Sequence, residues 1–285
     1  MTQLLDSLLG ESSVFAAELR PPRAELDSSA GMDAWIDTYH AVRSLVRQDV
    51  GVFLTDSAVG TQEENNLRHL VTNLGQEVSN SPVVPFLTSK HSLDFCLSYA
   101  EQAWQQGFSS LVVLGGDKTV GRERCVAHAW QLRQEIRRRV PQLTLGGWAN
   151  PYGNERQQVD FIEDESFTAE YYLTQIVSHL DPAPVEAFLG ELERRRIRRP
   201  GVYGVFYYRS ANRKTLETLR RFLPVPVDAL VEEFAAGASP ADICARTIGA
   251  MRDRGVRHFY ISNLPVQGTA ATLNDILDRV STGVL

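Results

Sequence analysis

A chain of 285 residues with 43% hydrophobic residues can bury a sizeable core in one domain or two, and its net charge of -6 argues against nucleic acid as the main partner. No stretch is long and uncharged enough to cross a bilayer, and a start carrying Asp6 and Glu11 lacks the pattern of a signal peptide, so a soluble, cytoplasmic protein without membrane contact is expected. Three widely spaced cysteines, Cys96, Cys125 and Cys244, offer no metal-ligand spacing and read as small hydrophobes inside helices.

In chain order, eight short β-branched-rich runs bounded by turn residues read as strands: 14–18, 50–55, 83–87, 111–114, 143–147, 171–175, 202–206 and 258–262. Asp27 to Gly31 reads as a turn cluster after the first of them. Helical spacing lies between the strands: Leu67, Leu70, Val71 and Leu74, then Cys96, Leu97, Ala100 and Trp104, then Leu216, Leu219 and Phe222. Gly75, Gly107 and Gly255 suit the left-handed position after a helix, while Ser92 and the pair Ser239-Pro240 suit helix starts. The arginine clusters 137–139 and 194–199 fall late in helices, where they complement the dipole and face water.

Strands alternating with helices pair in parallel, because each return needs a crossover. Eight units match one (β/α)8 TIM barrel, typically about 250 residues, and the expectation is a single α/β domain over 1–285. A doubly wound open sheet is the other solution, but no glycine-rich dinucleotide turn follows the first strand. Catalytic groups of a barrel sit at strand C-terminal ends, and Glu18, Thr55, Asp117 and Gln175 stand there.

The run Phe15-Ala16-Ala17-Glu18-Leu19-Arg20-Pro21-Pro22 resembles the first strand of the methylenetetrahydrofolate reductase family. The likeness continues in register through Thr55 to Gly60, Pro85-Phe86-Leu87-Thr88, Leu114-Gly115-Gly116-Asp117, Gly146 to Gly153, Leu173-Thr174-Gln175, Pro200-Gly201-Val202 and His258 to Asn263, so it covers nearly the whole chain. The resemblance implies a barrel that reduces 5,10-methylenetetrahydrofolate to 5-methyltetrahydrofolate with FAD and NAD(P)H. It implies that Glu18 is the acid that opens the folate ring, that Asp117 and Gln175 meet the pterin, and that Phe234 is an aromatic neighbour of substrate or nucleotide. Thr55 and Ala58 are implied to line the flavin, with Gly115, Gly116, Asp117, Gly147 and Asn150 along the same cofactor side.

The chemistry suits these residue types. Protonating a weakly basic nitrogen needs a carboxylic acid of raised pKa, and a pterin edge of donors and acceptors is matched by a carboxylate or amide. Arg209, after the seventh strand, could meet the carboxylate of a folate tail or a nucleotide, against a surface salt bridge as the plain alternative. His91 could act as an acid or anion contact, or be structural, and Trp148 and Phe234 are packing residues unless their rings face the mouth.

Departures from the family pattern gather on the cofactor side. Phe86 replaces a His, Gly115 an Arg, and Asn150-Pro151-Tyr152-Gly153-Asn154 a Tyr-Pro-Glu-Gly-His pattern. The following acidic stretch, Phe161 to Ser166, is expected to lie where a flavin diphosphate would sit and to repel it. Three readings stay open: a divergent flavin-dependent reductase, a flavin-free enzyme passing hydride directly from NAD(P)H, and a non-redox folate-binding or partner-binding protein. A homo-oligomer or a partner subunit is compatible with each.

Overall fold

The apolar runs are too short and too β-branched for buried helices, and each is followed by a segment able to cross over, so they assemble as parallel strands. A computed structural model of the chain describes residues 3–22, 28–56 and 80–283. Its strands are β1 Phe15–Leu19, β2 Gly51–Leu54, β3 Val83–Thr88, β4 Ser110–Leu114, β5 Thr144–Ala149, β6 Tyr171–Val177, β7 Gly201–Phe206 and β8 His258–Ser262. Each pairs in parallel with the next, and β8 returns to β1, closing the barrel. The described residues therefore form the expected (β/α)8 TIM barrel.

The helices are α1 Gln3–Leu9, α2 Ser28–Val46, α3 Leu93–Gln105, α4 Ala129–Arg139, α5 Glu155–Glu163, α6 Ala183–Arg194, α7 Arg213–Arg220, α8 Val227–Ala235, α9 Pro240–Arg252 and α10 Thr269–Thr282. Ser92 Oγ accepts the amide of Phe95 at the start of α3, and Ser239 forms a reciprocal box with Asp242 at the start of α9. Gly107 and Gly255 take the left-handed backbone expected of them. Two expectations are corrected. Residues 28–31 are the first turn of α2 rather than a loop, and Cys125 lies in the β4-to-α4 loop rather than in a helix. The helix expected around Leu67 to Leu74, with Gly75, lies outside the described residues.

Alternation decides what fills the barrel, since every second strand residue points inward. Ala16, Phe53, Val84, Val112, Tyr171 and Tyr260 belong to one interior cluster, which Leu4 and Leu8 of α1 join from the N-terminal end. Large rings are accommodated by missing side chains: a Cβ on Gly146 would lie 2.7 Å from Tyr171, and one on Gly204 would lie 2.5 Å from the Tyr260 hydroxyl. The hydroxyls of these two rings are satisfied, with Tyr171 2.9 Å from Ser110 Oγ and Tyr260 donating to the Thr174 carbonyl at 2.6 Å. After β7, α7 and α8 pack a second cluster over the ends of β6 and β7, built on Ile176, Phe206, Leu216 and Leu230.

Candidate functional site

The inward register of the strands carries polar groups to the C-terminal mouth. On β1, Ala16 points in, so Glu18 does too, one layer higher; on β8 the same step leads from Tyr260 to Ser262. The two strands are neighbours, and Ser262 Oγ donates to Glu18 Oε1 at 2.9 Å. Enclosure by the apolar upper barrel pushes the Glu18 pKa up, against the opposing pull of the Ser262 hydrogen bond and the charge of Arg20. Leu114 and Trp148 are partly buried against the interior cluster, giving an apolar, aromatic surface at this level.

Gln175 owes its position to a bulge. Leu173 pairs with Val202 but Ile176 pairs with Gly204, so Thr174 and Gln175 stand opposite Tyr203 alone. Thr174 Oγ1 accepts the Gly204 amide at 3.2 Å, and Gln175 Oε1 accepts the amide of Ile176 at 2.9 Å. The amide nitrogen of Gln175 has no hydrogen-bond partner among the described residues.

Asp117 occupies a different environment. Its Oδ1 accepts the amides of Thr119 at 2.7 Å and Val120 at 2.9 Å and the Thr119 hydroxyl at 3.0 Å. These bonds, the Thr119 amide foremost, hold its carboxyl below the usual range, with Lys90 adding to the effect. Buried Lys90 donates to the carbonyls of Val120 at 2.7 Å and Arg122 at 2.6 Å, so the loop bearing Asp117 is fastened from β3. Arg124 donates to the Gly116 carbonyl, and its guanidinium lies 2.8 Å from where a Cβ of Gly115 would be. Nothing larger than Gly fits at 115 while Arg124 stays there. Gly116, at φ 72, makes the turn that follows.

The other expected cofactor-side residues are engaged locally. Thr55 donates its amide and, at 3.4 Å, its hydroxyl to the Leu19 carbonyl. Asn150 accepts the amide of Tyr152 with Oδ1, closing its own turn. A Cβ on Gly147 would lie 2.4 Å from the Phe167 ring, so this glycine serves packing on the outward side of β5. Ala58 lies outside the described residues. Phe86 is buried in the barrel, tilted against Phe53 with ring centroids 5.9 Å apart. The acidic stretch after α5 is also relocated: Glu163 and Glu165 line the N-terminal face with Arg196 to Pro200, on the opposite side of the barrel from the mouth. Its expected repulsion of a diphosphate at the mouth therefore does not operate.

Two residues expected on the substrate side have local contacts. Arg209 donates to the carbonyls of Asn263 and Leu264 at 3.1 Å, fastening the β7 and β8 ends instead of forming a surface salt bridge. Phe234 is partly buried in the cluster over β6 and β7. His91 is a paired residue: its Nε2 lies 2.9 Å from the Asp56 carboxylate, which also accepts the amide and hydroxyl of Thr88. A carboxylate only accepts, so Nε2 carries the proton. Sequence reasoning did not single out Ser262, Asp56, Lys90 or Arg124. Period-two alternation from Tyr260 could have found Ser262, whereas the buried cation and the loop brace depend on tertiary packing.

Among the described residues no group of three or more His, Cys, Asp or Glu could hold a metal ion, and no helix is long and apolar enough to cross a membrane. No family model matches the chain, and no curated protein sequence matches it. The fold has solved counterparts. An uncharacterized protein from Clostridium thermocellum, described as binding two copies of 5-methyl-5,6,7,8-tetrahydrofolic acid, superposes with a TM-score of 0.68 at 16% identity, over 98% of this chain and 99% of that one. A 2,3-dimethylmalate lyase of the PEP mutase/isocitrate lyase superfamily gives 0.53 at 10% identity, over 99% of this chain and 86% of that one. The carboxyl transferase domain of Rhizobium etli pyruvate carboxylase gives 0.54 at 11% identity, over 91% of this chain and 43% of that one. At such identities the likeness establishes the barrel.

The described residues expected at a flavin are engaged in packing and turn closure and do not by themselves form a flavin cradle.

Proposed function

We propose that the C-terminal mouth binds a reduced folate, with Glu18 as the acid of the site. The observation that carries this reading is the Glu18 carboxyl, enclosed beside Ser262 with its pKa raised. An acid held above the ordinary carboxylate range is better matched to give a proton to a weakly basic ring nitrogen, the demand made by opening a methylene bridge. The partly exposed Trp148 offers a face for a flat ring, and the unpartnered amide nitrogen of Gln175 a donor for its edge. The Clostridium thermocellum barrel, whose bound ligand is methyltetrahydrofolate, supports the ligand class by analogy of fold.

In the reductase form of this reading, 5,10-methylenetetrahydrofolate becomes 5-methyltetrahydrofolate, with hydride drawn from NADH or NADPH. The chain's own part is to bind and orient the folate and to hold the proton at Glu18. The second form is folate binding without redox chemistry, favoured by the local engagement of Gly115, Gly147 and Asn150. Calorimetric titration with 5-methyltetrahydrofolate tests the shared claim; absence of saturable binding sinks it. The absorption spectrum of the purified protein then reports any flavin, and oxidation of NADH or NADPH dependent on methylenetetrahydrofolate separates reductase from binder.

A further inference from the structure

The N-terminal face, opposite the mouth, carries a cleft of about 690 Å³. It forms where the ends of α4 and α5 and the entries to β6 and β7 converge beside α1. Leu5 and Leu9 of α1, with Ile197 and Pro200, supply apolar walls. The volume lies within the range of about 300–1,000 Å³ usual for small-molecule sites.

The charges around it do not cancel. Glu170 is fully committed: one oxygen is bonded by Arg137, and the other accepts the Leu145 amide at 2.7 Å. Glu163 accepts from Arg195 at 3.0 Å. Glu165 is exposed, with no ion pair among the described residues. Against it stand Arg196 and Arg198, both exposed and without an ion pair among the described residues, and Arg199, which donates to the Ile162 carbonyl.

Behind them the charge excess continues. Phe167 is sandwiched between the guanidinium carbons of Arg199 at 4.9 Å and Arg133 at 4.7 Å from its centroid. Arg133 is buried, donating to the carbonyls of Phe167 at 2.6 Å and Val113 at 3.1 Å, with no salt bridge among the described residues. Burial first, and repulsion by Arg199 second, lower its pKa to about 10. Part of the basic charge is used locally, since Arg137 donates to the carbonyls of Pro141 and Leu143 in the turn after α4. Arg196 and Arg198 have no such employment. Arg196 is also held at φ 58, the left-handed position after α6 that favours glycine.

We propose that this cleft is a second ligand site, for a small molecule with an apolar body and carboxylate groups, separate from the mouth. Apolar walls take the body, and Arg196 and Arg198 take the carboxylates. The inference does not depend on what the mouth binds.

The test is a fluorescence titration of the full chain with naphthalene-2,6-dicarboxylate, which has the required body and charges but no pterin-like edge. Saturable binding that weakens with added salt is expected, with Kd rising at least tenfold in Arg198→Ala and in Arg196→Gly. Arg196→Gly relieves the left-handed backbone, so that variant should melt at or above the native temperature while binding worse, which a purely structural arginine would not do. Gln175→Ala, at the mouth, should leave Kd unchanged. No saturable binding, unchanged affinity in both arginine variants, or a loss confined to Gln175→Ala would each overturn the proposal. Failure of folate binding at the mouth would leave these outcomes untouched.

Discussion

Glu18 stands in the last part of β1 and Asp117 in the loop three residues beyond β4, and the barrel treats them in opposite ways. Desolvation raises the Glu18 carboxyl in pKa, with a serine hydroxyl as its hydrogen-bond partner; the Asp117 carboxyl is lowered, with three donors from its own turn on one oxygen. Environments that push two carboxyls apart assign them different work, one suited to holding a proton and the other to holding charge or shape. In the reading proposed above, the β1/β8 side of the mouth is thus the side for acid chemistry. The β4 side is a fastened loop that can present a carboxylate edge.

The sharpest way to break this contrast is Glu18→Gln. In the reductase form, turnover should fall by about 10²–10⁴-fold, the range for loss of a positioned acid, while folate affinity changes little. Full activity would remove Glu18 from the mechanism. The same variant carries a stability signature. A folded pKa above the usual 4.5 means that Glu18 contributes stability below that pH and loses it as pH rises through the folded value. Glu18→Gln should therefore melt higher than the native chain at pH 8, with the advantage shrinking toward pH 4; equal melting at both would show that the site is not desolvated.

A second experiment uses the other end of β8. His258 is buried, and its Nδ1 accepts the Val14 amide at 3.2 Å. Burial, then the charge of Arg257, lowers its pKa from 6.5 to about 4. The sign is opposite to that of Glu18: stability is full above pH 6.5 and is lost as pH falls through about 4, by roughly 3 kcal/mol at 1.36 kcal/mol per unit. Urea unfolding at pH 7 and pH 4 should show this loss in the native chain and a smaller one in His258→Gln. An identical loss in both chains would shift the acid sensitivity to other groups.

Gly147 asks whether the β4 and β5 side carries cofactor contacts or packing. With its Cβ position 2.4 Å from a Phe167 ring already clamped by two guanidiniums, Gly147→Ala should destabilise by about 1–3 kcal/mol in urea unfolding and leave ligand affinity in the surviving fold unchanged. Lost binding without lost stability would return Gly147 to the site.

The sequence made the barrel legible because its signal is redundant: eight apolar runs, each with its own flanking turn, and any one of them could shift by a residue without changing the count. Boundaries moved where local preference met tertiary demand. β6 runs two residues beyond Gln175 because the bulge lets Ile176 and Val177 rejoin the ladder, and residues 28–31 are helical despite their turn-forming composition. Within strands alternation fixes direction, and so the inward placement of Glu18 was legible. The site was not legible in loops. Nothing in the order of residues says that Arg124 folds back over Gly115, or that residues 163–165 belong to the far face.

The smallest expected effect concerns Asp117, and it decides whether the β4 side binds anything. Asp117→Asn keeps the Oδ1 acceptor, so the bonds from Thr119 and Val120 and the loop they define should persist. Lys90 still holds the loop through the carbonyls of Val120 and Arg122. The variant therefore removes the charge of the second oxygen without releasing its frame. If that oxygen meets the donor edge of a pterin, the Kd for 5-methyltetrahydrofolate should rise about tenfold, the loss of one charge-assisted hydrogen bond, with no change in turnover at saturation. An affinity within twofold of native would make Asp117 a turn residue, leaving the enclosed acid of β1 and the amide of β6 as the polar groups on which the folate reading stands.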